Sequence, residues 1–548
     1  MSTPLTCTVG DLLALFLENL GVETVFGVLS VHNMPLLDAL ARRDRIRYVS
    51  ARGEAGVVNM ADAHARISRR MGVAFTSTGS GAGNACGALI EAATAGTPLL
   101  HITGQVNLNY LDRGWGDVHE APGQFRMLQA ASKAAFRVWS AETALGVFRQ
   151  AVQLANTAPC GPVTVEIPID LQGASVQYHP EDLKALPVPV QAPEDVQMDA
   201  LADALQSARR PMLWLGGGAR HAGDAVRRLL DMGFGLVTSI QGRGVVDERD
   251  PRTLGAFNLH PSVESFYGSC DAMLVVGSRL RVPETARHTL ALPRPLYRID
   301  VDPAAQGRGY ASERFVCADA ALALHALADR LQGRMQTDPA FHGQLAQARQ
   351  AAEQLMRGNL GRYAQQCDAL QAAAGPDIHW VRDVTISSST WGHRLFPLSH
   401  SDQSAHASGG GIGQGLSMGI GAALARPERR TLVLVGDGGL MLNAAELPTA
   451  VQENTRLVLL VMNDKGYGIL RNLEDAQFGG RRYYCDLHTP DFETLAQAHG
   501  YGFARITHFE QLEQQLQQAL AIDAPATLVE FDMAQIGPFA RPFSGPRI

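Results

Sequence analysis

The chain has 548 residues, enough at roughly 100–200 residues per domain for about three domains with their own cores, which excludes a small stapled or metal-dependent mini-domain. Lys and Arg total 47 against 54 Asp and Glu, a net charge of -7 without long single-sign runs, so no polycationic surface for nucleic acid is offered. Hydrophobic residues at 46% exclude disorder, and seven scattered cysteines with no Cys-x-x-Cys pair argue against a disulfide framework or a thiolate metal site.

Val9, Leu12, Leu13, Phe16, Leu17 and Leu20 share one face of a helix over 9–20, Gly21 stops it, and residues 22–28 read as a strand. No basic segment precedes an apolar core here, and no window approaches about 18 uncharged apolar residues, so no membrane association and a cytoplasmic location are expected. Short apolar strands follow at 72–78, 98–103 and 163–167, separated by helical segments, the pattern of a parallel sheet covered on both faces. A first domain over 1–175 is expected, then a Pro-rich linker over 176–197.

A second series has strands at 212–215, 235–239, 273–276 and 296–301 and ends in a helix capped by Asp319, which gives a domain over 198–335. The Gln- and Ala-rich stretch 336–372 reads as a helical connector. A third domain, 373–548, has strands at 383–386, 431–435, 457–462 and 526–531. The fold class is therefore α/β, with three doubly wound parallel-sheet domains.

The most informative segment is Leu432-Val433-Leu434-Val435-Gly436-Asp437-Gly438-Gly439, a buried strand running into a Gly-Asp-Gly turn. A second strand ends in Met462-Asn463-Asp464-Lys465-Gly466-Tyr467-Gly468, with 24 residues between Gly438 and Asn463. Ligands of open α/β sheets bind outside the carboxyl ends of the strands, where two carboxylates can hold a hard cation and glycine N–H groups can approach a phosphate.

This pair of segments resembles the thiamine-diphosphate motif, Gly-Asp-Gly followed by Asn-Asn, and the resemblance runs along the whole chain. The three-domain plan is that of the acetohydroxyacid synthase, benzoylformate decarboxylase and benzaldehyde lyase group: pyrimidine-binding (PYR), middle and diphosphate-binding (PP) domains. The resemblance implies that Asp437, the side chain of Asp464 and the Gly466 carbonyl hold Mg²⁺, with Asp464 standing where the family has its second Asn. It also implies diphosphate or cofactor contacts from Gly436, Gly438, Gly439, Tyr467, Gly468 and Ile469, and from Thr390, Trp391, Gly392 and His393. Leu416 is expected as the apolar wedge between the cofactor rings.

The segment from Arg52 to Arg66 resembles the one carrying the family's catalytic acid, with Glu54 in that place. The acid serves the aminopyrimidine N1′, so that the cofactor can lose its C2 proton. In the relatives this acid faces the diphosphate domain of another subunit, which implies a homodimer as the minimum assembly, with a tetramer common.

Donor-pocket positions differ among the relatives. Ser77 stands where benzoylformate decarboxylase has a pocket histidine, His32 where benzaldehyde lyase has one, and His119 at a polar position of the acetohydroxyacid synthase cavity; His32 and His119 are the candidate proton relays. Leu470 replaces the catalytic Glu of pyruvate decarboxylases, and Ile469 replaces an Ala found in two relatives that take aromatic donors. The expected activity is decarboxylation of a 2-oxo acid, with carboligation of the acyl unit to a second carbonyl. The alternatives are an acetolactate-synthase-type enzyme or an inactive homologue serving as a binding or regulatory subunit. Val276-Gly277-Ser278-Arg279 and Ile299-Asp300-Val301-Asp302 sit where the acetolactate-synthase middle domain holds FAD, but flavin-free relatives share them, and FAD is not expected.

Overall fold

The computed structural model describes residues 3–543. Three wholly parallel sheets carry the chain. The first runs in space through Arg47–Ser50, Thr24–Gly27, Gly72–Thr76, Leu99–Gln105, Pro162–Pro168 and Ala134–Arg137. The second has five strands: Gly235–Thr238, Pro211–Leu215, Ala272–Val276, Leu296–Asp300 and Arg314–Cys317. The third runs Ser404–His406, Ile378–Arg382, Arg430–Gly436, Val458–Asn463, Thr527–Asp532 and Gly502–Ile506.

The first and third sheets share one strand order: second, first, third, fourth, sixth, fifth. Each therefore has a switch point between its first and third strands, where loops diverge to opposite faces and leave a crevice at the carboxyl ends. The Pro-rich stretch after residue 175 opens with a strand, Ser175–Tyr178, paired antiparallel to Leu5–Thr8. Asp319 caps its helix by accepting from the Ala321 and Leu322 amides. The stretch after residue 336 forms two helices, Phe341–Leu360 and Ala364–Ala374.

One expected strand lies elsewhere. The third sheet begins at Ile378–Arg382, and Asp383 already belongs to the loop. The polar residues His379 and Arg382 hide a buried strand, because their partners are internal: Thr431 Oγ1 for His379, and the Gly392 carbonyl and Ser404 Oγ for Arg382. Asp383 then ends the strand by accepting from the amides of Val384, Gly413 and Gly415.

Five helices position the site: α1 (Glu54–Ser68), α2 (Ser80–Ala95), α3 (Gly415–Ala425), α4 (Asp437–Leu442) and α5 (Gly468–Gln477). Helix α3 is apolar and buried on nearly all sides, because it lies between α1 and the third sheet. Its glycines make the close approach. A Cβ at Gly421 would overlap the Met60 carbonyl of α1, and one at Gly419 would overlap Val433 of the sheet. Gly421→Ala is expected to destabilise the fold by about 1–3 kcal/mol, since backbone cannot yield as a side chain can. An unchanged urea midpoint would mean that α1 and α3 do not meet this closely.

Candidate active site

Parallel register sets the centre of the third sheet's site. Gly436 pairs with Met462, so the two strands deliver Asp437 and Asp464 side by side at their carboxyl ends. Asp437, the first residue of α4, is 1% exposed, and neither carboxylate oxygen has a hydrogen-bond partner. Burial, and then the adjacent Asp464 charge, pushes its carboxyl far above the usual carboxylate range. Burial likewise raises Asp464, against the opposing pull of Arg471.

Arg471 was not foreseen as part of the site. From α5 it donates to the Asp464 carbonyl at 2.6 Å and lies 3.5 Å from Oδ1, offsetting part of the charge that Asp464 adds where the family has Asn. Asn463 is held by its amide donating to Glu530 at 2.6 Å. The turn between them is pinned from the other side, where the Tyr467 amide donates to the Cys485 carbonyl and the Leu487 amide to that of Lys465. Tyr467 then covers Gly438, its ring edge 2.8 Å from where a Cβ would stand. Gly468 is bare for a similar reason: a Cβ there would overlap the Asp464 carboxylate. Ile469, half-buried, and Leu470, 45% exposed, form the first turn of α5 beside these groups.

Two sets of expected cofactor-contacting residues are engaged inside the fold. Thr390, Trp391, Gly392 and His393 lie in a buried turn whose polar groups serve the fold. The Thr390 hydroxyl donates to the Ile386 carbonyl, the Gly392 carbonyl accepts from Trp380 and Arg382, and His393 Nδ1 faces Arg382. Trp391 packs in the core with its ring 5.8 Å from that of Trp380. Burial, then Arg382, holds His393 well below the usual imidazole range, so it stays neutral. The crevice is reached instead by the start of this loop: Thr385 lies 3.4 Å from a Cβ position at Gly436, and Ile386 3.2 Å from that at Gly468. Leu416, 1% exposed, belongs to the core around α3, because its helix faces α1 and the sheet. The apolar side chain exposed on that glycine-rich loop is Ile412.

A second cluster gathers at the carboxyl ends of the first sheet. Glu54 begins α1, is mostly buried, and accepts from the Asn84 amide of α2 at 3.2 Å. Glu54 Oε1 and the Ser77 Cβ flank Gly81, 2.5 and 2.6 Å from where its Cβ would stand. Ser77 hydrogen-bonds Ser30 at 2.6 Å, and that hydroxyl accepts from the His32 amide. His32 and His119 meet edge to face at 5.3 Å. His32 Nδ1 is buried without a partner, and burial, then the His119 charge, lowers its pKa, so the ring is neutral near pH 7 and able to take or give a proton. Four residues distant in sequence thus share one crevice.

Residues 7–126 match the family description "Thiamine pyrophosphate enzyme, N-terminal TPP binding domain", 198–327 its central domain, and 385–530 its C-terminal TPP binding domain. A probable 2-ketoarginine decarboxylase of Pseudomonas aeruginosa is 31% identical over 535 residues, covering 96% of this chain and 94% of that protein. The chain belongs to the thiamine pyrophosphate enzyme family. Acetolactate synthase 2 of Nicotiana tabacum is 26% identical across 94% of this chain and 81% of its own, and the acetolactate synthase large subunit of Haemophilus influenzae 25% across 94% and 93%. Both clusters of the enzyme fall inside the matched TPP-binding segments, Glu54, His32, Ser77 and His119 in the first and Asp437 and Asp464 in the second.

Gly468→Ala tests the geometry of the second cluster. Displacing Asp464 is expected to weaken thiamine diphosphate binding by about 10–100-fold, the usual effect of losing a group that orients a ligand. Calorimetric titration that returns wild-type affinity would show that Asp464 is not held against Gly468.

Proposed function

We propose that this enzyme uses thiamine diphosphate and Mg²⁺ to decarboxylate a 2-oxo acid, in active sites each completed by two subunits. The observation that carries the reading is Asp437: a buried carboxylate with no donor, beside a second carboxylate, is costly unless a cation compensates both. Asp437, Asp464 and the Gly466 carbonyl are hard oxygen donors suited to Mg²⁺. Among the described residues no group of three or more His, Cys, Asp or Glu stands so that it could hold a metal ion by itself, so backbone, diphosphate and water would supply the other ligands.

When bound, thiamine diphosphate supplies a nucleophilic carbon and an electron sink for the loss of CO₂. Glu54, in its crevice, holds a proton for the aminopyrimidine nitrogen. Ile469 and Leu470 keep water from the substrate carboxylate, which favours its departure. His32 and His119 offer the proton exchange that product release needs. The same apolar surroundings accept a second carbonyl, so carboligation is part of the proposal, and the acetolactate-synthase likeness supports it.

The two-subunit reading is supported by where exposed apolar side chains lie. Leu29, Val31, Trp115 and Val118 surround the Glu54 cluster, and Ile412, Leu442, Leu470 and Tyr484 lie on the loops and helix ends around the Asp437 cluster. Patches of this kind mark surfaces that a partner covers. A second copy of the chain would bring one cluster against the other.

The test is CO₂ release and coupled products from pyruvate, 2-oxobutyrate, branched 2-oxo acids, benzoylformate and 2-ketoarginine, the compound in the name of the Pseudomonas relative. Ile469 narrows the donor space, so small aliphatic acids should exceed benzoylformate, and Ile469→Ala should shift preference towards larger donors by about 10–200-fold. No CO₂ from any 2-oxo acid would overturn the reading. Because burial raises both Asp carboxyls, the cation-free protein loses their stabilising neutral form as pH rises through those values. Mg²⁺ with cofactor should therefore raise Tm more at about pH 8 than at about pH 6. Equal gains would remove the carboxylates from metal binding.

Glu54→Gln should fold and bind cofactor, yet slow C2–H exchange in D₂O by about 10²–10⁴-fold, because an amide has no acidic proton to give. Unchanged exchange would exclude Glu54 as the acid.

A further inference from the structure

Helix α1 begins with the residue that must be aimed, Glu54, but its N-cap is Gly53, which has no side chain to cap it. The cap comes from the third sheet's loops. Glu446, fully buried in the turn Ala444–Glu446, accepts through Oε1 from the amides of Arg52 and Gly53, both at 3.0 Å. Its other oxygen accepts from the Thr449 hydroxyl at 2.6 Å. The Arg52 guanidinium adds bonds to Thr449 Oγ1 at 3.1 Å and Gln452 Oε1 at 2.8 Å. The start of α1 thus rests on residues 446–452 of its own chain.

The other end of that segment is Asp437. Helix α4 runs from Asp437 to Leu442, and Asn443 donates to Ser417 Oγ of α3 at 2.8 Å, anchoring the segment midway. One short stretch therefore carries the carboxylate of one cluster at its start and the support of the other cluster's acid at its end.

We propose that Glu446 is a positioning residue that aims Glu54 at the cofactor of the opposite subunit, so that residues 437–446 join the two active sites of a dimer. This rests on the two-subunit reading above. Two N–H groups fix the height and direction of the first turn of α1, and a carboxylate at a helix N-terminus also matches the helix dipole. Loss of Glu446 takes the shared acceptor from both amides and frees the turn that aims Glu54.

Glu446→Ala is expected to slow C2–H exchange by about 10²-fold, the effect of misplacing a catalytic group by about 1 Å, while thiamine diphosphate affinity holds. Glu446→Gln should restore most of the rate, because its amide oxygen still accepts from both N–H groups. Should the Ala variant fail to fold, Glu446→Asp, which draws the carboxylate back by one methylene, takes its place.

Mixed dimers decide the route. When Glu446→Ala chains are reassorted with Asp437→Ala chains, each hybrid pairs an intact Asp437 from the first with an intact Glu446 and Glu54 from the second. Random pairing makes about half the dimers hybrids with one good site each, so about a quarter of the wild-type amount of fast-exchanging cofactor should return. Glu54→Gln with Asp437→Ala is the control and should recover equally. Recovery in the control but not with Glu446→Ala would overturn the proposal, since Glu446 would then act on its own chain's cofactor. Failure of the control would overturn the two-subunit reading itself, and unaltered exchange in Glu446→Ala would remove Glu446 from any positioning role.

Discussion

The structure is organised around one electrostatic constraint: two carboxylates are delivered together to the end of a buried parallel sheet, and one of them has no hydrogen-bond donor. Strand register makes this unavoidable, since Gly436 lies opposite Met462 and the next residues of both strands are acidic or amide. Much nearby sequence can be understood as accommodation to it. Gly468 is bare so that Asp464 can fit, Arg471 returns towards it from the next helix, and Tyr467 closes over Gly438. Asp383 consumes the amides of the glycine loop and keeps that loop near the carboxyl ends.

The first and third sheets repeat one topology but use their crevices differently. In the third, acidic oxygens and glycine turns gather where a cation and phosphates can be held. In the first, the crevice collects an acid, a hydroxyl and two imidazoles, groups that exchange protons. One topology thus hosts both halves of the chemistry, because a switch point supplies the crevice and the loop residues determine its content.

Most of the architecture was legible because central parallel strands are buried on both faces and appear as short apolar runs. Five strands of the parallel sheets had no counterpart in the sequence reading, Arg47–Ser50, Ala134–Arg137, Arg314–Cys317, Ser404–His406 and Gly502–Ile506, and all five lie at sheet edges. An edge strand is half covered and carries polar residues, so its pattern resembles a loop. The Gly-Asp-Gly turn and Glu54 were legible through motif spacing. The roles of Thr390–His393 and Leu416 were less legible, because the same residue types serve burial equally well: Trp391 fills core, and the glycines around Leu416 admit Met60 and Val433. Arg471 and Glu446 act through tertiary contacts with residues far away or on another element, and no local pattern marks such roles.

The embrace of α1 by α3 also bears on how the chain is made. Met60 and Gly421 touch through backbone, yet some 360 residues separate them, and at about 5–20 residues per second a ribosome needs about 20–70 s to cover that interval. For the part of that time after residue 168 is made, the first sheet is complete but one face of α1 has no cover, while the middle sheet, whose strands all lie between Pro211 and Cys317, can close on itself. Synthesis therefore passes through a stage with a finished centre and an open first third. That stage exposes apolar surface, and crowding or slow elongation would bear most heavily on it.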